Sequence, residues 1–186
     1  MSDKNCIFVC MDKYDDKFME IVDSLTELTD DPNRGVACLI VKDNNIISHG
    51  VNVLSNGVNK TEERVSKPLK SKWISHAERN AIYKAARLGI NINGARMYCT
   101  YFPCVDCARA IIQSGISKVY SPKPDFNHHK WGDSWIESIT MFRECGVEVV
   151  WTRECYTYCQ SEIEGDRMCY SQCDHCKEYY KPLEDE

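Results

Sequence analysis

The sequence predicts an α/β protein, with a mixed sheet of about five strands and helices on both faces, from three observations. Apolar residues switch between the spacing of three and four that marks a helix face and the short continuous runs that mark buried strands. A hairpin signal comes early, where Lys42-Asp43-Asn44-Asn45 separates two apolar runs. After it, each helical stretch ends at a glycine, Gly89, Gly115 or Gly146, and a strand follows.

Taken in order, Phe18, Ile21, Val22, Leu25 and Leu28 place a helix over residues 14–29, stopped by Asp30-Asp31-Pro32. The two runs of the hairpin cover 36–41 and 46–53, and the first is apolar enough to be buried on both faces. Residues 54–73 carry no period but contain Asn56-Gly57, Pro68 and the basic Lys67, Lys70 and Lys72, which reads as a long loop. Ser75 is a suitable N-cap for a helix reaching Leu88, with Ala77, Ala81, Ile82, Ala85 and Leu88 inward. A strand over 95–100 precedes a helix over 104–114, striped by Cys104, Cys107, Ala108, Ile111 and Ile112. A strand over 118–121, a loop with Pro122, Pro124, His128 and His129, a helix over 134–145 with Ile136, Ile139 and Phe142 inward, and a strand over 147–151 complete the pattern. The sequence thus divides into a domain over 1–151 and a polar, cysteine-rich appendage over 152–186.

The chain has 186 residues, enough for one sizeable core plus an appendage, and its 43% hydrophobic and 27% charged content is ordinary for a globular domain. No apolar run approaches membrane-spanning length, and Met1-Ser2-Asp3-Lys4-Asn5 is not the start of a secretory signal, so the expected location is the cytoplasm. There the twelve cysteines read as metal ligands and buried thiols rather than disulfides. A net charge of −5 argues against stable binding to a polynucleotide and leaves room for a local basic pocket.

The chemistry concentrates in Ser75-His76-Ala77-Glu78 and Pro103-Cys104-Val105-Asp106-Cys107. Cys104 and Cys107, three apart at a helix start, project to one side, and the helix N-terminus favours their thiolates. With His76 they supply three zinc ligands, and two thiolates balance the ion's charge. The fourth position is left to water, and Glu78, which is not a ligand, can move that water's protons. Each motif has a plainer reading: Ser75-x-x-Glu78 is a capping box, and Cys-x-x-Cys recurs at Cys173-Asp174-His175-Cys176. Together, His-x-Glu at one helix start and Pro-Cys-x-x-Cys at the next match the signature of zinc nucleobase deaminases. A thioredoxin-like redox role would leave His76 and Glu78 unexplained.

His76-Ala77-Glu78-Arg79-Asn80-Ala81-Ile82 followed by Tyr101-Phe102-Pro103-Cys104-Val105-Asp106-Cys107-Ala108-Arg109-Ala110-Ile111-Ile112 resembles the deoxycytidylate (dCMP) deaminase family, over residues 31–151. Phe102 before Pro103 favours this branch over the tRNA adenosine deaminases. The resemblance implies a three-layer αβα cytidine-deaminase-like fold and hydrolysis of dCMP to dUMP and ammonia. It further implies a homo-oligomer, a deoxynucleoside triphosphate effector, and substrate contacts from Asn52, Ala77 and Phe102. Val51 and Leu54-Ser55-Asn56-Gly57 depart from the family pattern and lack its arginine, so Arg64, Lys70, Lys72 and Lys130 become the candidates to bind a phosphate.

In the appendage, Cys155, Cys159, Cys173 and Cys176 are the candidates for a second, structural zinc ion. His128-His129 reads as a loop pair near a pocket mouth, and Trp131 and Trp135 as packing residues. Two alternatives stay open from sequence. One is deamination of another substrate: a nucleoside, dCTP, a modified cytosine nucleotide or an RNA base. The other is a noncatalytic zinc-stabilised binding module, for which Cys99 is the nearest fourth ligand.

Overall fold

The computed structural model describes residues 11–152. Helix α1 (Lys13–Ser24) leads through a 3-10 turn (Leu25–Leu28) to strands β1 (Ala37–Lys42), β2 (Asn45–Val51) and β3 (Val53–Leu54). Two single-turn helices, α2 (Glu62–Val65) and α3 (Lys70–Trp73), precede β4 (Ile74–Ser75) and α4 (Ala77–Arg87). Then come β5 (Arg96–Cys99), α5 (Val105–Gln113), β6 (Lys118–Pro122), α6 (Gly132–Glu144) and β7 (Glu148–Thr152).

Five strands form one mixed sheet in the order β2-β1-β5-β6-β7, as the sequence predicts. The first three strands pair antiparallel and the last three parallel. The hairpin turn is two residues long, with Asp43 and Asn44 at φ 50° and 59°, the left-handed conformations a tight β1-β2 connection requires. Strand β1 is buried on both faces because its alternation feeds two cores. Cys38 and Ile40 join Met97, Cys99 and Val119 under α4, α5 and α6, while Ala37, Leu39 and Val41 join Tyr98 and Tyr120 under Phe18, Met19 and Val22 of α1. These are the three layers.

The α1 side carries a buried polar tie. Asp15 accepts from the Tyr98 hydroxyl and, at 3.1 Å, from Arg96 Nη1. Tyr98 stacks on Tyr120 at 4.4 Å, and burial pushes both phenols well above the usual tyrosine range. On the other side, β2 meets α4 backbone to backbone. A Cβ on Gly50 would stand 2.3 Å from the Ala77 carbonyl oxygen and 2.4 Å from the Ala81 amide nitrogen, so no larger residue permits this approach.

Several expectations need correction. The long loop over 54–73 is instead organised by β3 pairing with β4, with Leu54, Val65 and Ile74 as a small core of its own. Periodicity misses this because each element is too short to repeat. Helix α1 is shorter than 14–29, since Asp12 rather than Tyr14 opens the turn as a capping box with Asp15 and the chain tightens to 3-10 at Leu25. Ile21, Leu28, Leu88 and Ile136, expected inward, are exposed, and Met19, Trp135 and Ser138 are buried. The last helix starts at Gly132, and the final strand runs to Thr152. No helix among the described residues is long and apolar enough to cross a membrane.

Candidate active site

His76 and Cys104 hold the same place in their helices. Each is the N-cap, with extended backbone, and neither side chain caps its own helix. The N–H groups this exposes are satisfied from elsewhere. Asn52 Oδ1 accepts from the Ala77 N–H at 2.9 Å, and Ser134 Oγ accepts from the Val105 N–H at 2.9 Å. Relieved of capping, the imidazole and the thiol can point at each other.

The His76 Nδ1 atom lies 3.5 Å from Cys104 Sγ and 3.6 Å from Cys107 Sγ. A tetrahedral zinc with bonds of about 2.3 Å to sulfur and about 2.0 to 2.1 Å to nitrogen has S···N edges of about 3.5 to 3.6 Å. Both edges from His76 therefore match the spacing the ion requires, and all three ligand atoms lie within 4.8 Å of one another. They form the only such cluster among the described residues. Cys99 is not part of it, because its thiol faces Cys38 across the sheet at 3.7 Å, so the described residues offer no fourth ligand. The Cys107 thiol donates to Cys104, which draws Cys104 down to about 4 and pushes Cys107 up; the pair shares one proton that a divalent cation would displace. The Cys104 thiolate in turn raises His76.

Glu78 is 4% exposed and sits against this cluster, and burial pushes its carboxyl upward against the opposing pull of His76. Ser75, expected as the N-cap, is instead the end of β4; His76 is the N-cap and the helix begins at Ala77. That makes Glu78 the second helical residue, one short of the position a capping box uses, and Asn52 supplies the cap instead. The competing structural role for this carboxylate is thereby removed.

His76, Glu78 and Cys104 lie in the lining of a cavity of about 440 Å³ together with Asn52 and Phe102. This is a volume suited to a nucleotide-sized ligand. Residues 12–122 match the family model described as the cytidine and deoxycytidylate deaminase zinc-binding region. The chain belongs to the cytidine and deoxycytidylate deaminase family. As a member of this zinc-binding family, it positions His76, Cys104 and Cys107 to hold the ion.

Among similar proteins, an uncharacterized deaminase in the luxG 3′ region of Aliivibrio fischeri is 38% identical over 144 residues, covering 75% of this chain and 93% of that one. The deoxycytidylate deaminase of Enterobacteria phage T2 is 49% identical over 84 residues, 42% of this chain and 41% of that one. The chain thus matches about two fifths of the phage protein's length. The crystal structure of dCMP deaminase from cyanophage S-TIM5 in complex with dCMP and dUMP aligns at a TM-score of 0.63 and 26% identity, covering 77% of this chain and all of that one.

The remaining candidates of this deaminase family member separate clearly. Asn52 and Phe102 line the cavity, whereas Ala77 is buried outside its lining with its N–H bound to Asn52. Lys70 and Lys130 reach the cavity; Arg64 and Lys72 do not. Arg64 lies over the Trp73 ring and donates to the Asn59 carbonyl. Trp131 and Trp135 pack as expected but also line the cavity, as do His128 and His129. Cys155, Cys159, Cys173 and Cys176 lie outside the described residues.

Sequence reading missed Asp31, which lines the cavity and holds Lys70 Nζ with both oxygens at 2.7 and 2.6 Å. Burial alone would raise this carboxyl, but Lys70 and the N–H and amide of Asn33 outweigh it and hold the carboxyl below its usual value. A depressed folded-state value means stability that is present above the unfolded value of 3.8 and lost as pH falls through the folded one. Asp31→Asn is expected to cost about 1 to 2 kcal/mol at pH 7. In thermal melts, the gap between the two proteins should close as pH drops below 3.8. A gap that stays constant with pH would contradict this account.

Proposed function

We propose that the chain hydrolyses a free pyrimidine deoxynucleotide, converting dCMP and water to dUMP and ammonia. The observation that carries this reading is Glu78, a buried carboxylate without a ligand or capping role, set beside the zinc-ligand cluster in the lining of a nucleotide-sized cavity. When bound, zinc supplies the Lewis acidity that makes water nucleophilic near neutral pH. Glu78 takes a proton from water as its oxygen attacks the amino-bearing carbon, delivers it to the adjacent ring nitrogen, and then serves the departing amine. Asn52 commits Oδ1 to the Ala77 N–H, so its amide N–H groups are the end available to a sugar hydroxyl. Phe102 forms part of the wall.

The names of the relatives support the substrate: the phage T2 protein is a deoxycytidylate deaminase, and the cyanophage enzyme was crystallised with dCMP and dUMP. In this reading the deaminase domain covers 1–151, with its last strand ending one residue later, and 152–186 is the appendage. The reading also includes cytoplasmic action, a homo-oligomer and a deoxynucleoside triphosphate effector. Light scattering with and without dCTP or dTTP tests the last two.

Ammonia release from the zinc-loaded chain is the direct test. Cytidine, deoxycytidine, CMP, dCMP, dCTP, adenosine and a cytosine-containing RNA are compared, with dCMP expected to be fastest. Release from none of them would overturn the reading in favour of a noncatalytic module.

A further inference from the structure

Several basic residues ring the mouth of the cavity, and their surroundings tell them apart. Lys70 is neutralised by Asp31. Lys130 lies over the Trp131 ring at 5.0 Å. His128 accepts the Lys130 and Trp131 N–H groups at Nδ1, at 3.1 and 3.3 Å, which commits that nitrogen to the backbone at the start of α6. Lys67 is exposed and has no group to orient it among the described residues.

Arg34 differs from all of these. It lines the cavity, is exposed, and has no hydrogen-bond or ion-pair partner among the described residues. Its guanidinium is nevertheless held, 4.6 Å above the centroid of the Tyr101 ring. Tyr101 is in turn braced edge-on by Trp135 at 5.5 Å. The backbone is fixed on both sides. Asp31 Oδ1 accepts the Asn33 N–H at 2.9 Å in an Asx turn, and Gly35 seats where a Cβ would stand 2.6 Å from the Thr26 carbonyl oxygen. With one face on the ring, the planar fork keeps its N–H edge for an oxyanion, and little side-chain freedom remains to be lost when one binds.

We infer that Arg34 binds the 5′-phosphate of the substrate and makes this pocket prefer a nucleotide to a nucleoside, an assignment that rests on the deoxynucleotide reading above. The test uses the full zinc-loaded chain with Arg34→Gln and Arg34→Lys. Two ratios are measured: kcat/KM for dCMP over deoxycytidine, and calorimetric affinity for dUMP over deoxyuridine. Loss of a charge-assisted paired contact is expected to lower both ratios by about 10- to 100-fold in Arg34→Gln, mostly through KM and Kd. Arg34→Lys should fall between, because it keeps the charge and loses the fork. Equal losses on nucleotide and nucleoside would mark a merely structural role and overturn the assignment. Unchanged ratios with turnover intact would overturn it and leave the deaminase reading standing. An unsubstituted chain that neither turns over dCMP nor binds dUMP would remove both.

Discussion

Glu78→Gln is expected to lower kcat by about 10³-fold while the chain keeps the zinc content of the parent, within the range general acid–base catalysis contributes. Glutamine matches the shape of the buried side chain and can still accept hydrogen bonds, so the cavity and the His76, Cys104 and Cys107 cluster should be unaffected. What it lacks is an exchangeable carboxyl proton. The structure sharpens this test, because Glu78 is neither the capping residue of α4 nor a member of the ligand cluster. Loss of activity therefore cannot be ascribed to a frayed helix start. Steady-state ammonia release and zinc content by atomic emission are the paired measurements. A variant within tenfold of the parent would remove Glu78 from the proton path, and one that lost its zinc would recast it as structural.

Gly50→Ala should be among the most damaging single-methyl changes in the chain. The added carbon meets backbone on two sides, at the Ala77 carbonyl and the Ala81 amide, and backbone cannot rotate away as a side-chain tip can. Overpacking of this kind costs about 3 kcal/mol, a drop of roughly 6 to 12 °C in Tm for a protein of this size. Because the displaced turn begins next to His76, zinc should also exchange faster into a chelator. Gly57 offers the control. It has φ 84° but open space around its Cβ position, so Gly57→Ala should cost only the left-handed backbone, about 1 kcal/mol, and leave zinc exchange unchanged. Equal behaviour of the two variants would show that the β2-α4 approach does not govern the centre.

Much of this was legible from sequence for a definite physical reason. Long amphipathic segments with glycine stops announce themselves, so the sheet, the hairpin and the three large helices after it emerge in the right order. Cys104 and Cys107 share a helix turn, so their spacing alone places both thiols together. The remainder depends on contacts between segments far apart in the chain. Nothing local to Ser75 reveals that Asn52 will cap α4, and the resulting one-residue shift in the helix start decides what Glu78 is free to do. Nor can charge counting distinguish Lys70, which is locked to Asp31, from Arg34, which is not. The exposed Ile21, Leu28, Leu88 and Ile136 show the opposite limit, since an apolar stripe can be wider than the surface that covers it.

The borrowed caps also bear on thermodynamics. His76 is oriented by a side chain from residue 52, and the Cys104 turn by one from residue 134, so the ligand cluster exists only when both ends of the domain are in place. Zinc affinity and global stability are then linked quantities: free energy released on binding the ion is drawn on by the whole fold, and any lesion that favours the unfolded chain weakens apparent binding by mass action. A segment spanning only residues 75–115 would contain His76, Cys104 and Cys107 and hold the ion far more weakly than the intact domain. The metal centre thus serves as a gauge of completed folding.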